Sequence, residues 1–559
     1  MEETSVSSNI KDGVVANFNR VAVADSTRAV SVTEIRSSLA RGREIALLDL
    51  REEAAYAEAH PLFAASLPLS RLEMEVRDRL PRKNVPIVVY DDGEGLVAAA
   101  LERLRHLGYS ELGFLSGGLR AWAAAGAELF RDVNVPSKAF GELVEARRHT
   151  PSIGAEELAA RVRSGDDVVV LDARRFEEYR VMSIPSATSV PGGELALRVH
   201  ELAPDPATLV VVNCAGRTRS IIGAQSLVNA GIPNPVAALR NGTIGWTLAG
   251  LPLDRGQSRS HAVRGTAAAD AAARVAATAR AARRLADAAG VDRMNLAALR
   301  EWSGDPTRTL YRFDVRTPEE YAAGHLPGFR SAPGGQLVQE TDHFAPVRGA
   351  RIVLAADDGV RANMCGSWLA QMGWDVAILV DDAVANGIVE LEKGPFRPNR
   401  PALPAVAGIS ATELERLILK QAVTVVDLSS SEEYDRGHVP GAWFALRSQL
   451  GKTPSAVWFR VPVVLVSPDG VLASFAVAEL EALTGMPPQV LSGGMAAWRA
   501  HGGVIETGHT RSLSPAIDLY RRPYEGTDNP VEAMEAYLEW EFGLVAQLER
   551  DDTHHFFVL

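Results

Sequence analysis

Cysteine is almost missing from this chain: Cys214 and Cys365 are the only two in 559 residues. Two thiols cannot form a disulfide framework, and their scarcity suits a reducing compartment. Basic charge is also in deficit, with 58 Lys and Arg against 70 Asp and Glu and a net charge of −12. That balance argues against a nucleic-acid or anionic-membrane partner, although local basic pockets remain compatible with it. No stretch approaches the run of about eighteen apolar residues that a membrane-spanning helix needs. Met1 to Arg20 carry acids and polar residues where a secretory signal requires a basic start and an apolar run. The expectation is a soluble, cytoplasmic protein. Hydrophobic residues make up 47% and charged residues 23%, the balance of a globular chain. The length is too great for one core and implies about three to five domains.

One pattern recurs four times, at intervals of roughly 110–150 residues, too long for a solenoid unit and right for a domain. Each copy opens on a short apolar strand ending in Asp: Ala46 to Asp49, Val168 to Asp172, Tyr311 to Asp314 and Thr424 to Asp427. An acid-and-Tyr turn follows, ending at Tyr56, Tyr179, Tyr321 and Tyr434. Copies three and four continue with Gly324-His325-Leu326-Pro327-Gly328 and Gly437-His438-Val439-Pro440-Gly441, where copy two has Met182-Ser183-Ile184-Pro185-Ser186. A second apolar strand, a loop and a helix ending at Gly108, Gly231, Gly373 or Gly485 come next. Copies one and four close with Ser116-Gly117-Gly118 to Trp122 and Ser492-Gly493-Gly494 to Trp498, and copy two with Asn241-Gly242 to Trp246. Short strands alternating with amphipathic helices indicate α/β units with largely parallel sheets.

The expected divisions are 25–130, 150–256, 292–395 and 405–508, with a helical linker at 262–290 and a helical tail at 510–559. Ala267 to Ala289, rich in Ala and Arg, reads as a long connecting helix that splits the chain into two tandem pairs. Pro136 to Ser152 reads as a separator of copies one and two, and Pro395 to Pro404 as a separator of copies three and four. Asn529 to Arg550 reads as one helix, with Trp540, Phe542 and Leu544 available for docking.

Cys214 carries the best case for chemistry. It opens Cys214-Ala215-Gly216-Arg217-Thr218-Arg219-Ser220, between the apolar run Leu209 to Val212 and a helix-like stretch to Gly231. A strand, a short Gly-containing loop and a helix start aim successive backbone N–H groups and the helix dipole into one concavity, which stabilises an anion. A thiol at its rim is expected to have a lowered pKa, with Arg217 and Arg219 favouring both thiolate and anionic substrate. Parallel sheets place ligand sites beyond the carboxyl ends of their strands, where this loop falls. At the matching place copy one has Asp91-Asp92-Gly93-Glu94-Gly95, copy three Ala356-Asp357-Asp358-Gly359-Val360-Arg361 and copy four Ser467-Pro468-Asp469-Gly470. None of these loops holds a thiol at that place, and acids in the cradle would repel an anionic substrate, so these three copies are expected to be inactive. Cys365 falls one turn into a helix and reads as a core residue.

Asp172-Ala173-Arg174, the Glu-Glu-Tyr turn, Gly-His-Leu-Pro-Gly, the Cys214 loop and the closing Gly and Trp together resemble the rhodanese family, over most of the chain. The likeness extends to the bacterial multidomain rhodanese-related sulfurtransferases with four domains and one cysteine-bearing loop. It implies four tandem rhodanese-like domains, each a five-stranded parallel β-sheet flanked by helices, and transfer of sulfane sulfur through a persulfide on Cys214. The donor implied is a small anion, thiosulfate or glutathione persulfide; the acceptor is thiophilic, such as cyanide, a thiol or sulfite. No metal or organic cofactor is expected. Ala215, Gly216, Arg217, Thr218, Arg219 and Ser220 would hold the substrate, and Asp172 and Arg174 would support the loops. Arg180, Glu194 and the Pro191-Gly192-Gly193 turn would line the mouth. The scaffold also resembles dual-specificity phosphatases with a Cys-x5-Arg loop, but Cys214 to Arg219 is Cys-x4-Arg, a ring of amides sized for sulfur. A rival reading is a sulfur-relay or scaffold protein that docks partners on its inactive domains. By analogy with tandem rhodaneses, copy one is the expected structural partner of copy two. The second pair and the tail could close over the loop, form a homodimer or bind a partner.

Overall fold

The computed structural model describes residues 27–261, 269–453, 461–526 and 528–559. The stretch Met1 to Arg20 and the first residues of the expected linker lie outside the described residues.

The second domain shows the plan that all four share. Its strands are β1 (Ser152–Ile153), β2 (Val168–Asp172), β3 (Thr188–Ser189), β4 (Leu209–Asn213) and β5 (Val236–Leu239), in the order β1-β5-β4-β2-β3. Every pairing is parallel. The central strands are near-continuous Val and Leu runs because helices cover both faces, leaving no side of the sheet to be polar. The other three domains repeat this order of five strands. The chain is thus four parallel α/β domains flanked by helices.

The domains do not pair in chain order. The Pro191-Gly192-Gly193 turn of the second domain meets Pro333-Gly334-Gly335 of the third, backbone to backbone. A Cβ on Gly193 would stand 2.7 Å from the Gly335 nitrogen, and a Cβ on Gly335 would stand 2.7 Å from the Gly193 nitrogen. That reciprocity describes a pseudo-twofold contact which only glycine permits. The first domain pairs with the fourth through Arg447, which binds Glu73 at 2.7 Å and also Glu479. The first and third domains are joined as well: Val347–Arg348 adds antiparallel to Ile45–Ala46 at the edge of the first sheet. The helix Ala269–Ala288 links domains two and three, seated on Arg361–Gln371 and Leu195–Leu202.

Two segments take a form the sequence did not suggest. The stretch beginning at Pro136, between copies one and two, is the helix Val135–Arg148, buried along most of its length against the helix that follows Cys214. Pro136 sits in its first turn, where a missing N–H costs nothing. The tail is two helices, Val531–Phe542 and Leu544–Asp551, broken at Gly543. Leu544 and Leu548 anchor it in the core shared by the first and third domains.

Arg361 closes the contact between domains two and three. It is 1% exposed and binds Glu194 at 2.8 Å, Asp358 at 2.6 Å and Glu320. Removing one partner of a buried ionic cluster leaves uncompensated charge, at about 3–5 kcal/mol. Arg361→Ala is expected to lower the melting temperature by several degrees in calorimetry; an unchanged melt would mean the cluster contributes nothing.

Candidate active site

Cys214 follows the last residue of β4 and is 2% exposed. Its loop is held from behind by the helix Gly242–Leu248: the Thr243 N–H donates to the Cys214 carbonyl at 2.8 Å and the Ile244 N–H to the Ala215 carbonyl at 3.0 Å. The Thr243 hydroxyl adds a bond to the Cys214 carbonyl at 3.0 Å. With the carbonyls drawn to that side, the N–H groups of Ala215 through Arg219 are engaged by no other described residue. These amides and the start of the helix Thr218–Asn229 form a cradle able to hold an extra sulfur bearing negative charge. The Cys214 thiol donates to the Ser220 hydroxyl at 3.4 Å, and that hydroxyl donates to the Arg217 carbonyl at 2.8 Å.

The expected lowering of the thiol pKa is not what the structure gives. Burial pushes the Cys214 thiol up, and Arg219 and the Ser220 hydrogen bonds oppose the shift without cancelling it. The thiolate is therefore the minor form at neutral pH, and alkylation of Cys214 by iodoacetamide should still accelerate at pH 9, the ordinary thiol value. Peptide mapping across pH would check this; a plateau near neutrality would restore the thiolate.

Neither guanidinium is free. Arg219 forms a two-pronged pair with Glu178 at 2.8 and 2.9 Å. Burial works to raise the Glu178 carboxyl, and Arg219 overrides it, holding the group down to about 2. Arg217, 4% exposed, binds Glu142 at 2.8 Å, Glu145, and Asn241 at 3.0 Å, and lies over the Phe542 ring at 4.2 Å. It fastens the loop to the helix Val135–Arg148 and to the tail. Asp172 and Arg174 are buried and form a two-pronged pair, which Asn213 joins at 2.9 Å; Arg174 also reaches the Met182 carbonyl at 2.7 Å. Asp49 with Arg51 and Asp314 with Arg316 repeat the device.

Glu194 does not line the mouth: it is buried in the contact with the third domain, between Arg198 and Arg361. The Pro191-Gly192-Gly193 turn lies in the same contact. Arg180 is exposed, with no side-chain partner among the described residues. Thr218 is buried in the first turn of its helix and presses its methyl on Gly141 of Val135–Arg148. Cys365 is buried beside the Gly334 carbonyl at 3.6 Å, and burial pushes its thiol up.

The mouth of the cradle is closed by the tail. A Cβ on Gly216 would stand 3.2 Å from both the Glu541 Oε2 and the Tyr537 ring. The sequence reading missed Glu178, Glu142, Glu145, Tyr537 and Glu541. For Glu178 a signal existed: Glu320 occupies the same place in the acid-and-Tyr turn of copy three, and each binds the Arg that lies 41 residues further on. For the rest there was none, since they arrive from outside the repeat.

The other loops are filled by their own side chains. Asp91 accepts from Gly93 N–H at 3.0 Å and Leu96 N–H at 2.6 Å, and Asp358 accepts from Val360 N–H at 2.7 Å and Arg361 N–H at 2.8 Å. Ser467 Oγ accepts from Ala473 N–H at 3.2 Å.

The rhodanese-like domain model matches residues 31–125, 154–249, 296–384 and 410–501. The chain is similar to the crystal structure of thiosulfate sulfurtransferase from Pseudomonas aeruginosa: 57% identity, 95% of this chain and 99% of that one, TM-score 0.92. It is 26% identical to a thiosulfate sulfurtransferase of Azotobacter vinelandii over 216 residues, 32% of this chain and 79% of the relative. A 101-residue match at 34% identity to an HTH-type transcriptional regulator of Mycobacterium tuberculosis covers 18% of this chain and only 44% of that protein. The chain belongs to the rhodanese family, as a four-domain sulfurtransferase.

Proposed function

We propose that the chain moves sulfane sulfur from thiosulfate or a low-molecular-weight persulfide, such as glutathione persulfide, to a thiophilic acceptor through a Cys214 persulfide. Cys214 first gives up its proton to water; the thiolate so formed attacks the outer sulfur of the donor, the donor's S–S bond breaks, and sulfite or a thiol departs with the electron pair. An acceptor (cyanide, a thiol or sulfite) then attacks the outer sulfur of the persulfide and returns the thiolate. The observation that carries this reading is the thiol at the centre of a loop whose amides have no other partner among the described residues. Arg219 supplies a positive charge that favours the thiolate, Gly216 lets the chain approach closely, and Asp172 with Arg174 and Ser220 keep the loop in place.

A cavity of about 190 Å³ lies between the second domain and the tail, walled by Thr243, Ile244, Met182, Tyr524 and Met534, and offers room for a small donor or acceptor. Because three cradles are already filled by Asp91, Asp358 and Ser467, the other domains are proposed to shape and support the second one. Two scarce, buried thiols fit a reducing, cytoplasmic setting, and among the described residues no helix is long and apolar enough to cross a membrane. Intact-mass analysis after thiosulfate or glutathione persulfide, then after cyanide, tests the reading. A sulfur adduct that cyanide removes is expected; no adduct with either donor overturns it.

A further inference from the structure

Glu541 is 1% exposed, on the tail helix Val531–Phe542, and faces the Cys214 loop at Gly216. One carboxyl oxygen accepts from the Tyr537 hydroxyl at 2.8 Å; the other has no hydrogen-bond partner among the described residues. A buried polar atom left without a partner costs about 1–3 kcal/mol, so its place at the mouth of a reactive loop calls for a use.

The charges around it make that use specific. From the segment leading into and through Val135–Arg148 come Asp132, Lys138, Glu142 and Glu145. The cysteine loop contributes Cys214, Arg217 and Arg219, and the stretch before the tail helix contributes Arg522 and Tyr524. Each cation already has a carboxylate of its own: Lys138 binds Asp132 at 2.8 Å, Arg217 binds Glu142, Arg219 binds Glu178, and Arg522 binds Glu525. Lys138 is further enclosed by the rings of Tyr524, Tyr537 and Trp540. None of these four cations is left unclaimed for Glu541. Burial, with Glu142 adding to it, pushes its carboxyl up to about 8, despite Lys138, Tyr537 and Arg217. Cys214 feels the Glu541 charge in turn, as a rise of its own pKa. A carboxyl that gains and loses its proton near neutral pH, set against Gly216 of a thiol-bearing loop, is equipped for acid and base work.

We propose that Glu541 is the acid–base group of the sulfur-transfer site, giving a proton to the thiolate that leaves a persulfide donor and taking one from an acceptor thiol. The inference rests on the Cys214 persulfide cycle proposed above. In the first half, the Cys214 thiolate attacks the outer sulfur of R–S–SH and the S–S bond breaks. The electron pair leaves with the R–S sulfur, and Glu541 protonates it to R–SH and becomes a carboxylate. Cys214 then carries S–SH. In the second half, the acceptor thiol gives its proton to Glu541 and its sulfur attacks the outer sulfur of Cys214–S–SH. The bond pair returns to Cys214 as the thiolate, and the acceptor leaves as a persulfide. No external oxidant or reductant is needed. Sulfite brings no proton as a dianion, so its reaction has no need of Glu541.

The test uses the full chain with Cys214 preloaded by glutathione persulfide, comparing wild type and Glu541→Gln in rapid-quench mass analysis. Gln keeps the shape and cannot exchange a proton. Discharge to glutathione is expected to slow by about a hundredfold, while discharge to sulfite stays within about twofold, which also shows that the variant's site is formed. The wild-type-to-variant ratio for glutathione should shrink towards one as pH rises past the acceptor's own pKa, because preformed thiolate needs no base. Equal slowing with both acceptors, or a ratio that does not change with pH, would overturn the assignment and leave Glu541 a packing residue. A wild type that never loads sulfur on Cys214 would refute the persulfide cycle itself, before any variant is compared.

Discussion

Cys214→Ser is expected to take up no sulfur from thiosulfate or glutathione persulfide and to lose turnover by more than about a thousandfold. The hydroxyl would sit in the same cradle, but its pKa lies far above that of a thiol, and an oxygen–sulfur linkage does not store sulfane sulfur. No other group among the described residues can stand in. Cys365 is sealed in the contact between domains two and three, and Ser467 accepts a hydrogen bond from Ala473 in a fourth-domain loop with no adjacent base. Intact mass after donor treatment, alongside a cyanide-dependent turnover assay, reads both halves. An adduct retained in Cys214→Ser would move the chemistry elsewhere and advance the sulfur-relay alternative.

Gly242→Ala is expected to reduce sulfur loading by about a hundredfold, although residue 242 touches no reacting atom. Gly242 has φ +52°, and a Cβ there would lie 2.5 Å from the carbonyl oxygens of both Cys214 and Gly216 and 3.0 Å from the Ala215 carbonyl carbon. All three are backbone atoms of the cradle, so no side chain can swing aside; the loop must move, and with it the amides that face the sulfur. Gly494→Ala is the matched control. It has φ +58° and presses on the Ser467 carbonyl in the same place of the fourth domain. It should lower the melting temperature yet leave loading within about twofold, because the reactive loop lies in another domain. Equal loss of loading in both variants would show that the effect is global destabilisation.

The features that carry the fold were visible because they repeat. A strand ending in Asp, a turn ending in Tyr and a helix closed by Gly recur four times, each with a local physical cause: β-branched runs for buried strands, glycine for a positive φ. Cys214 stood out by the same comparison, being the single thiol at a place where the other copies have Asp91, Ala356 and Ser467. The repeat misled where the structure breaks its symmetry. Chain order suggested that copy one shields copy two, whereas Gly193 meets Gly335. Arg217 and Arg219 read as two cations awaiting an anion, because their carboxylate partners Glu142, Glu145 and Glu178 lie 41 to 75 residues away.

What the sequence by itself determined is the domain type, the number of copies and the reactive residue, since strand pattern, turn glycines and the presence of a thiol are local properties. What only the tertiary structure decided is the state of that residue. The sign of the Cys214 shift depends on burial beneath a tail more than three hundred residues further along the chain, and on which charges that tail brings. Glu541 acquires its unusual carboxyl because folding removes it from water and leaves Lys138, Arg217 and Arg219 each paired with another acid. Desolvation and charge pairing are sums over everything within reach in space, and separation along the chain does not encode them.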